Sequence, residues 1–94
     1  MIVLVLTEEF ERRYSELPTA IQRKAERRTT LFRQNPFHPS LETEKLHPPK
    51  KAVWSFRIDD DYRIMFRFID RDHIVMLTVG PHHWIYRQLR RFFL

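Results

Sequence analysis

The 94-residue chain contains no cysteine and a single glycine, Gly80. Without cysteine it can form no disulfide bond and no Cys-ligated zinc site, and a reducing cytoplasm is the expected compartment. Its longest apolar run, Met1 to Leu6, is far shorter than the roughly 20 residues that a membrane-spanning helix needs. That run also lacks the basic start and the small-residue cleavage site of a signal peptide. We therefore expect a cytoplasmic protein that does not enter the membrane.

Acidic residues are fewer than basic ones, 12 against 17, which gives a net charge of +5. Such a charge is typical of proteins that bind a polyanion, such as nucleic acid, the ribosome, an acidic protein or a membrane surface. The same charge also serves simply to keep a small protein soluble. The length predicts one domain, residues 1–94, and the 14% of aromatic residues can fill its core with large side chains.

The first half of the chain predicts a strand and two helices. The continuous apolar run at residues 2–6 predicts a strand buried on both faces. Thr7 is the expected N-cap of a first helix, whose apolar stripe is Phe10, Tyr14 and Leu17. A second helix, about Pro18 to Gln34, is strongly basic, with Arg23, Lys24, Arg27, Arg28 and Arg33. This basic face is either solvated or a surface for a partner or RNA.

The second half predicts strands. A proline-rich loop from Pro36 to Lys51, with room for a short element at Leu41 to Leu46, precedes two alternating stretches that a turn at Asp59 to Asp61 connects. In that register the large aromatic residues share one face, and Arg57 lies opposite Arg63 on the other face.

Residues 70–72 form another turn, and His73 to Val79 form a last strand. Gly80 marks unusual dihedrals or a close contact, and residues 82–94 form a short helix or an arm. The predicted order is β-α-α-β-β-β, an α+β fold in which a small antiparallel sheet has two N-terminal helices packed on one face. Because two helices cover only one face, the face with Arg57 and Arg63 is expected to be open to solvent or a ligand.

Residues suited to metal-independent RNA cleavage converge on this second face. They are Glu44, Arg57, Arg63, His82, His83 and Tyr86. Such cleavage needs a base for the 2′-hydroxyl, a cation for the phosphate and an acid for the leaving 5′-oxygen. Glu or His suits the first role, Arg the second and His the third. Alternatively, Glu44 is a solvated loop acid, the two arginines pair with the Asp turn, and the histidines lie at the surface.

Metal binding is not expected. The adjacent histidines His82 and His83 have a third histidine, His73, only at a distance, which is a weak metal-binding spacing. We predict no metal and no cofactor.

Several short motifs resemble those of the RelE/ParE superfamily of bacterial type II toxin–antitoxin toxins, in order along nearly the whole chain. They are Thr7 to Phe10, Asn35-Pro36, His38 to Leu41, Lys45-Leu46, Trp54 to Ile58, Asp61 to Ile64, Val79 to His83 and Tyr86-Arg87. The resemblance implies a small antiparallel sheet with two helices on one face. It also implies a ribosome-dependent endonuclease that cuts mRNA in the decoding site without a metal.

Roles for individual residues follow from the similarity to the YoeB branch. It implies that Glu44 is the base, Arg63 the phosphate-binding arginine, and His82 or His83 the acid. Tyr86 would orient or stack on a base, and the RNA-binding residues would be Arg57, Lys45 and Arg87. The implied partners are the ribosome, mRNA and a cognate acidic antitoxin that forms a hetero-oligomer with the toxin.

The same superfamily leaves two other functions open. ParE-type members share the fold but poison DNA gyrase, and other members only bind antitoxin. Ser55 replaces a lysine of RelE, and His82 replaces its arginine after the glycine, so the chemistry of RelE itself is not expected. An acid–base pair favours the nuclease, because gyrase binding requires none. The tail, Arg90 to Leu94, is predicted to lie in an antitoxin groove or to pack on the sheet.

Overall fold

In the computed structural model, which describes residues 2–92, the chain forms five strands and three α-helices. In chain order the elements are β1 (Val3–Leu6), α1 (Glu8–Ser15), α2 (Thr19–Gln34), β2 (Glu44–Lys45), β3 (Trp54–Arg57), β4 (Tyr62–Phe68), β5 (His73–Pro81) and α3 (His82–Arg87). Short 3-10 helices cover Pro39–Leu41, Pro49–Lys51 and Gln88–Phe92. Within the described range, no helix has the length and apolarity to span a bilayer.

The strands form one sheet in the order β1-β5-β4-β3-β2. Strands β2 to β5 pair antiparallel, whereas β1 joins the edge of the sheet parallel to β5. The α+β class with two N-terminal helices on one face is confirmed. The prediction that β1 is buried on both faces is wrong, because Val3 and Val5 are 46% and 43% exposed. Only Ile2 and Leu4, which pack into the helix-covered core, have a covering layer.

Local signals in the sequence place the first two helices. The Thr7 hydroxyl oxygen accepts a hydrogen bond from the backbone N–H of Phe10 at 3.0 Å, which confirms the predicted N-cap of α1. In α2, Phe32 is fully buried. Its ring stacks on Phe56 with centroids 4.3 Å apart and meets Phe66 edge-on at 4.9 Å. These aromatic contacts dock α2 on the sheet.

The predicted hairpin register is also confirmed. Arg57 pairs directly with Arg63 across β3 and β4. The turn between them is held by Asp59, whose Oδ1 accepts hydrogen bonds from the N–H groups of Asp61 at 2.9 Å and Tyr62 at 3.0 Å. Both arginines therefore share the second face, near the turn end of the hairpin.

The second face is not open as expected, because α3 packs across it. A second buried cluster consists of Leu46, Val53, Met65, Leu77 and Ile85. Ile85 of α3 is fully buried in this cluster, and Arg63 itself is only 7% exposed. A six-residue helix gives too short a pattern to predict this cover from the sequence. Because α3 covers part of this face, the part that stays accessible is a smaller site beside α3.

Gly80 is explained by a close contact and not by unusual dihedrals. No glycine has a positive φ. A Cβ atom at Gly80 would lie 2.5 Å from Cε3 of Trp84, closer than packing allows. Of the two interpretations that the sequence left open, the close contact is the correct one.

We expect Gly80→Ala to lower the free energy of unfolding by about 1–3 kcal/mol, the usual cost of overpacking. Urea denaturation of this variant measures the loss. In the background of Trp84→Ala, where the ring is absent, the same substitution should cost much less. A Gly80→Ala protein as stable as the parent would contradict the packing of Trp84 on this glycine.

Candidate active site

Strand β2 brings Glu44 to the second face of the sheet. Glu44 pairs with Ser55 of β3, and its neighbour Lys45 pairs with Trp54. Successive side chains of a strand point to opposite faces. The Lys45 ammonium accordingly lies 5.7 Å from the centroid of the Trp54 ring, on the face that the helices cover. The structure thus places Glu44, but not Lys45, on the face that holds Arg63.

Arg63 is held rigidly from one side. Its Nε donates to the Ser55 hydroxyl at 2.9 Å, and its Nη2 donates to the backbone carbonyl of Glu42 at 2.6 Å. Its Nη1 has no hydrogen-bond acceptor among residues 2–92. A buried guanidinium that is fixed on two nitrogens and free on the third presents a cation in one orientation. The sequence analysis missed this role of Ser55, although the alternation along β3 already puts its small side chain on the same face as Arg57 and Arg63.

Arg57 has two acidic partners in the free protein. Its Nη1 donates to Glu42 at 2.7 Å, and its Nη2 donates to Asp60 at 2.6 Å. The hydrogen bond from Arg57, together with its charge, holds the pKa of the Glu42 carboxyl below its usual range. The pairing with the Asp turn that the sequence analysis offered as an alternative is therefore seen for Arg57, whereas Arg63 has other partners.

Glu42 is a second residue that sequence reasoning missed. Its φ of 46° is left-handed, a conformation that few residues other than glycine adopt. The turn that this conformation produces directs the backbone carbonyl of Glu42 to Arg63 and its carboxylate to Arg57. Nothing in the sequence around Glu42 indicates a left-handed residue.

Helix α3 supplies His82 and Tyr86, which lie four residues apart and therefore on one side of the helix. The Nε2 of His82 is 3.2 Å from the Tyr86 hydroxyl. That hydroxyl in turn donates a hydrogen bond to Oε1 of Glu44. The second oxygen of Glu44, Oε2, has no donor within the described part of the chain. We call Glu44, Arg63, His82 and Tyr86 the site cluster.

The environment of Tyr86 defines what its hydroxyl can do. Burial, the hydrogen bond to Glu44 and the charge of Glu44 raise the pKa of Tyr86 to about 12, against the smaller opposite effect of Arg63. The phenol therefore stays protonated at neutral pH. It can donate a hydrogen bond and orient its neighbours, but it cannot act as a general base there.

The other predicted site residues lie around this cluster. His83 lines a groove with Arg13, Glu16 and Trp84, and together with His82 it also borders a pocket beside the Asp turn. Of these two adjacent histidines, which the sequence could not tell apart, His82 is the one whose ring lies beside the Tyr86 hydroxyl. Arg87 is exposed in the last turn of α3.

His73 lies at the far end of β5, where its Nδ1 is 2.9 Å from Asp70. Within residues 2–92, no three His, Cys, Asp or Glu side chains are grouped as a metal site.

A five-stranded sheet of this order, with two N-terminal helices on one face, is the fold of the RelE-like toxins. The structure is similar to that of a YoeB/ParE toxin from Agrobacterium tumefaciens, with 20% sequence identity and a TM-score of 0.70 over 87% of this chain and 99% of that one. It is also similar to YafQ in the E. coli DinJ-YafQ toxin-antitoxin complex, with 10% identity and a TM-score of 0.73 over 90% and 97% of the two chains.

A third similar structure is the heterotetrameric YoeB-YefM toxin-antitoxin complex from Staphylococcus aureus, with 16% identity and a TM-score of 0.68 over 87% and 98% of the two chains. No protein-family model and no curated protein sequence matches the chain. At these identities the resemblance is one of fold, and at that level the RelE/YoeB-like resemblance that the sequence motifs predicted is confirmed.

Proposed function

We propose that this chain is the toxin of a type II toxin–antitoxin system and that it cleaves mRNA on the ribosome without a metal. The observation that carries the proposal is the hydrogen-bonded series Glu44–Tyr86–His82 beside the buried Arg63. It combines a carboxylate, an imidazole and a fixed cation, the three groups that cleavage at a 2′-hydroxyl needs. A protein that only blocks gyrase or only binds antitoxin has no use for this combination.

In the proposed mechanism each group has one step. Oε2 of Glu44 takes the proton of the 2′-hydroxyl, and the 2′-oxygen then forms a bond to the adjacent phosphorus. The bond from phosphorus to the 5′-oxygen breaks, and a protonated His82 gives its proton to that leaving oxygen, which leaves a 2′,3′-cyclic phosphate. The free Nη1 of Arg63 stabilises the charge that develops on the phosphate oxygens.

Tyr86 and Arg57 assist without exchanging a proton. The Tyr86 hydroxyl holds Glu44 and stays near His82, which fixes the distance between base and acid. Arg57 can turn from Glu42 and Asp60 to an RNA phosphate, because both of those carboxylates are largely exposed and such pairs are weak. We propose that Arg87 and, on the other face, Lys45 contact RNA away from the reacting phosphate.

We also propose that the partner in the cell is an acidic antitoxin. The net charge of +5 favours an acidic protein, and two of the similar structures are toxin–antitoxin complexes. The reading frame beside this one should then encode a small acidic protein that binds the chain in a hetero-oligomer.

Expression of the chain alone is expected to arrest growth by cleaving translated messages. Primer extension should show new 5′ ends at codons in the ribosomal A site. The control is the same transcript with its start codon removed, which should stay intact because no ribosome translates it. Co-expression of the adjacent acidic protein should restore growth. Arrest with intact messages and altered DNA supercoiling would instead support gyrase inhibition.

A further inference from the structure

The 3-10 helix that follows α3 is attached to α1 by a bidentate ion pair. Arg91 donates from Nη1 to Oε1 of Glu9 and from Nη2 to Oε2, both at 2.7 Å. Its Nε donates to the side chain of Gln88, also at 2.7 Å, so the guanidinium is held in its plane. Paired hydrogen bonds between arginine and a carboxylate fix direction as well as distance. The contact therefore defines where the segment after α3 lies.

A second contact attaches α3 itself to the same face of α1. Arg13, one turn after Glu9, places its guanidinium carbon 4.2 Å from the centroid of the Trp84 ring. The six-membered ring of the same indole lies close to Gly80 of β5. Trp84 is thus held between the end of β5 and α1, and the Nε of Arg13 is 3.6 Å from Glu9. The Arg91 contact and the Trp84 contact are thus made with Glu9 and Arg13, two neighbouring and oppositely charged residues of α1.

Helix α3 depends on such contacts for its position. It has six residues, fewer than an isolated helix needs to be stable in water. Ile85 anchors its middle in the second core, where Trp84 also packs, and the His82 N–H donates to the Asp61 carbonyl at 2.7 Å at its start. Apolar packing fixes rotation about the helix axis less firmly than a directed, bidentate hydrogen bond does. Rotation would carry the Tyr86 hydroxyl off Glu44 and His82 away from the site. The ion pair beyond the helix opposes that rotation.

We propose that Glu9 and Arg91 are positioning residues of the site: their ion pair fixes α3, and with it His82 and Tyr86, against Glu44. The proposal rests on the proposed nuclease function. Catalytic groups must be placed to within a fraction of an ångström, so a contact remote from the chemistry controls the rate by controlling geometry.

The hydrogen bond from Arg91, against the opposite effect of burial and with smaller contributions from Thr78 and from the charges of Arg91 and Arg13, lowers the pKa of Glu9 to about 2. Any stability that this shift contributes is present above the ordinary pKa of 4.5 and lost as the pH falls towards 2. The pair therefore stays intact between about pH 5 and 8, the range in which histidine titrates.

A double-mutant cycle of Glu9→Gln and Arg91→Gln tests the positioning role. Each single change should lower the single-turnover cleavage rate on programmed ribosomes about 10-fold to 10²-fold, with little change in the concentration for half-saturation. The double variant should be no slower than either single one, because both remove the same contact. Glu8→Gln and Arg90→Ala, exposed neighbours on the same two elements, are the matched controls and should keep the full rate.

A measurement without ribosomes tests the positioning role of the ion pair independently of the proposed mRNA cleavage. In the free protein, NMR of the ¹³C-labelled tyrosine ring should show the Tyr86 phenol titrating near its raised pKa of about 12. In Glu9→Gln the midpoint should move towards the ordinary 10.0 as the hydroxyl leaves Glu44. Variants with lowered thermal stability but an unchanged cleavage rate and Tyr86 titration would overturn the positioning role. If the unaltered chain cleaves no mRNA, the proposed function fails, and the titration still decides whether the ion pair positions α3.

Discussion

Arg63→Ala should reduce the rate of mRNA cleavage on the ribosome by about 10²–10³, equivalent to about 2.7–4 kcal/mol of transition-state stabilisation. The reason is that Arg63 is the buried, fixed cation of the site cluster, with its free Nη1 available to the scissile phosphate. Single-turnover cleavage of a defined message in a programmed ribosome measures the loss. Ribosome binding should fall much less than the rate.

Removal of Arg63 also leaves its buried partner Ser55 without a hydrogen bond, which lowers stability by about 1–3 kcal/mol. Ser55→Ala is therefore a useful companion variant, because it keeps the cation and removes only the acceptor at Nε. It should slow cleavage about tenfold by loosening the guanidinium. Arg71→Ala, in the exposed turn before β5, is the matched control. Full toxicity of a folded Arg63→Ala protein would remove Arg63 from the mechanism.

The parts of the fold that could be predicted are those determined by neighbours in sequence. The Thr7 cap, the Asp59 turn and the alternation in β3 and β4 are local, so the pairing of Arg57 with Arg63 followed from them. Whether a residue is buried depends instead on which distant segments of the chain pack over it. A run of apolar residues cannot show that β1 lies at an edge, nor that α3 crosses the second face.

The sequence could predict which residues belong to the site cluster, but not which of them contact each other. Tyr86 and Glu44 are separated by 42 positions, and their contact depends on β2, a strand of two residues with no periodic signal. The same short strand puts Lys45 on the opposite face, which alternation would have indicated only once the strand was known. The left-handed turn at Glu42 has no sequence signal of its own, because glutamate is not typical of that conformation.

The end of the chain shows the same limit. The sequence predicted that Arg90 to Leu94 lies in an antitoxin groove or packs on the sheet. The structure places Gln88–Phe92 in a 3-10 helix and pairs Arg91 with Glu9 of α1. No pattern in the sequence predicts this ion pair, because its two residues are far apart along the chain. Phe93 and Leu94 lie outside the described residues, so both alternatives for the tail stay predictions.

Glu44→Gln should lower the cleavage rate by about 10²–10⁴, the usual contribution of a general acid or base. An amide keeps the size of the side chain and can still accept the hydrogen bond from Tyr86, but it cannot take the 2′-hydroxyl proton. Ribosome binding should therefore be retained while single-turnover cleavage slows.

The pH profile identifies the roles of the individual groups. With the parent chain, the rate should depend on pH in a bell-shaped manner, because the mechanism needs Glu44 without its proton and His82 with one. Glu44→Gln should abolish the acidic limb, and His82→Ala should abolish the alkaline limb. His83→Ala is the matched control, because His83 borders a pocket with His82 but it is His82 whose ring lies beside the Tyr86 hydroxyl. Full activity in a protein that lacks both histidines would mean that the general acid comes from the ribosome and not from this chain. An unchanged rate in Glu44→Gln would mean that Glu44 is not the general base.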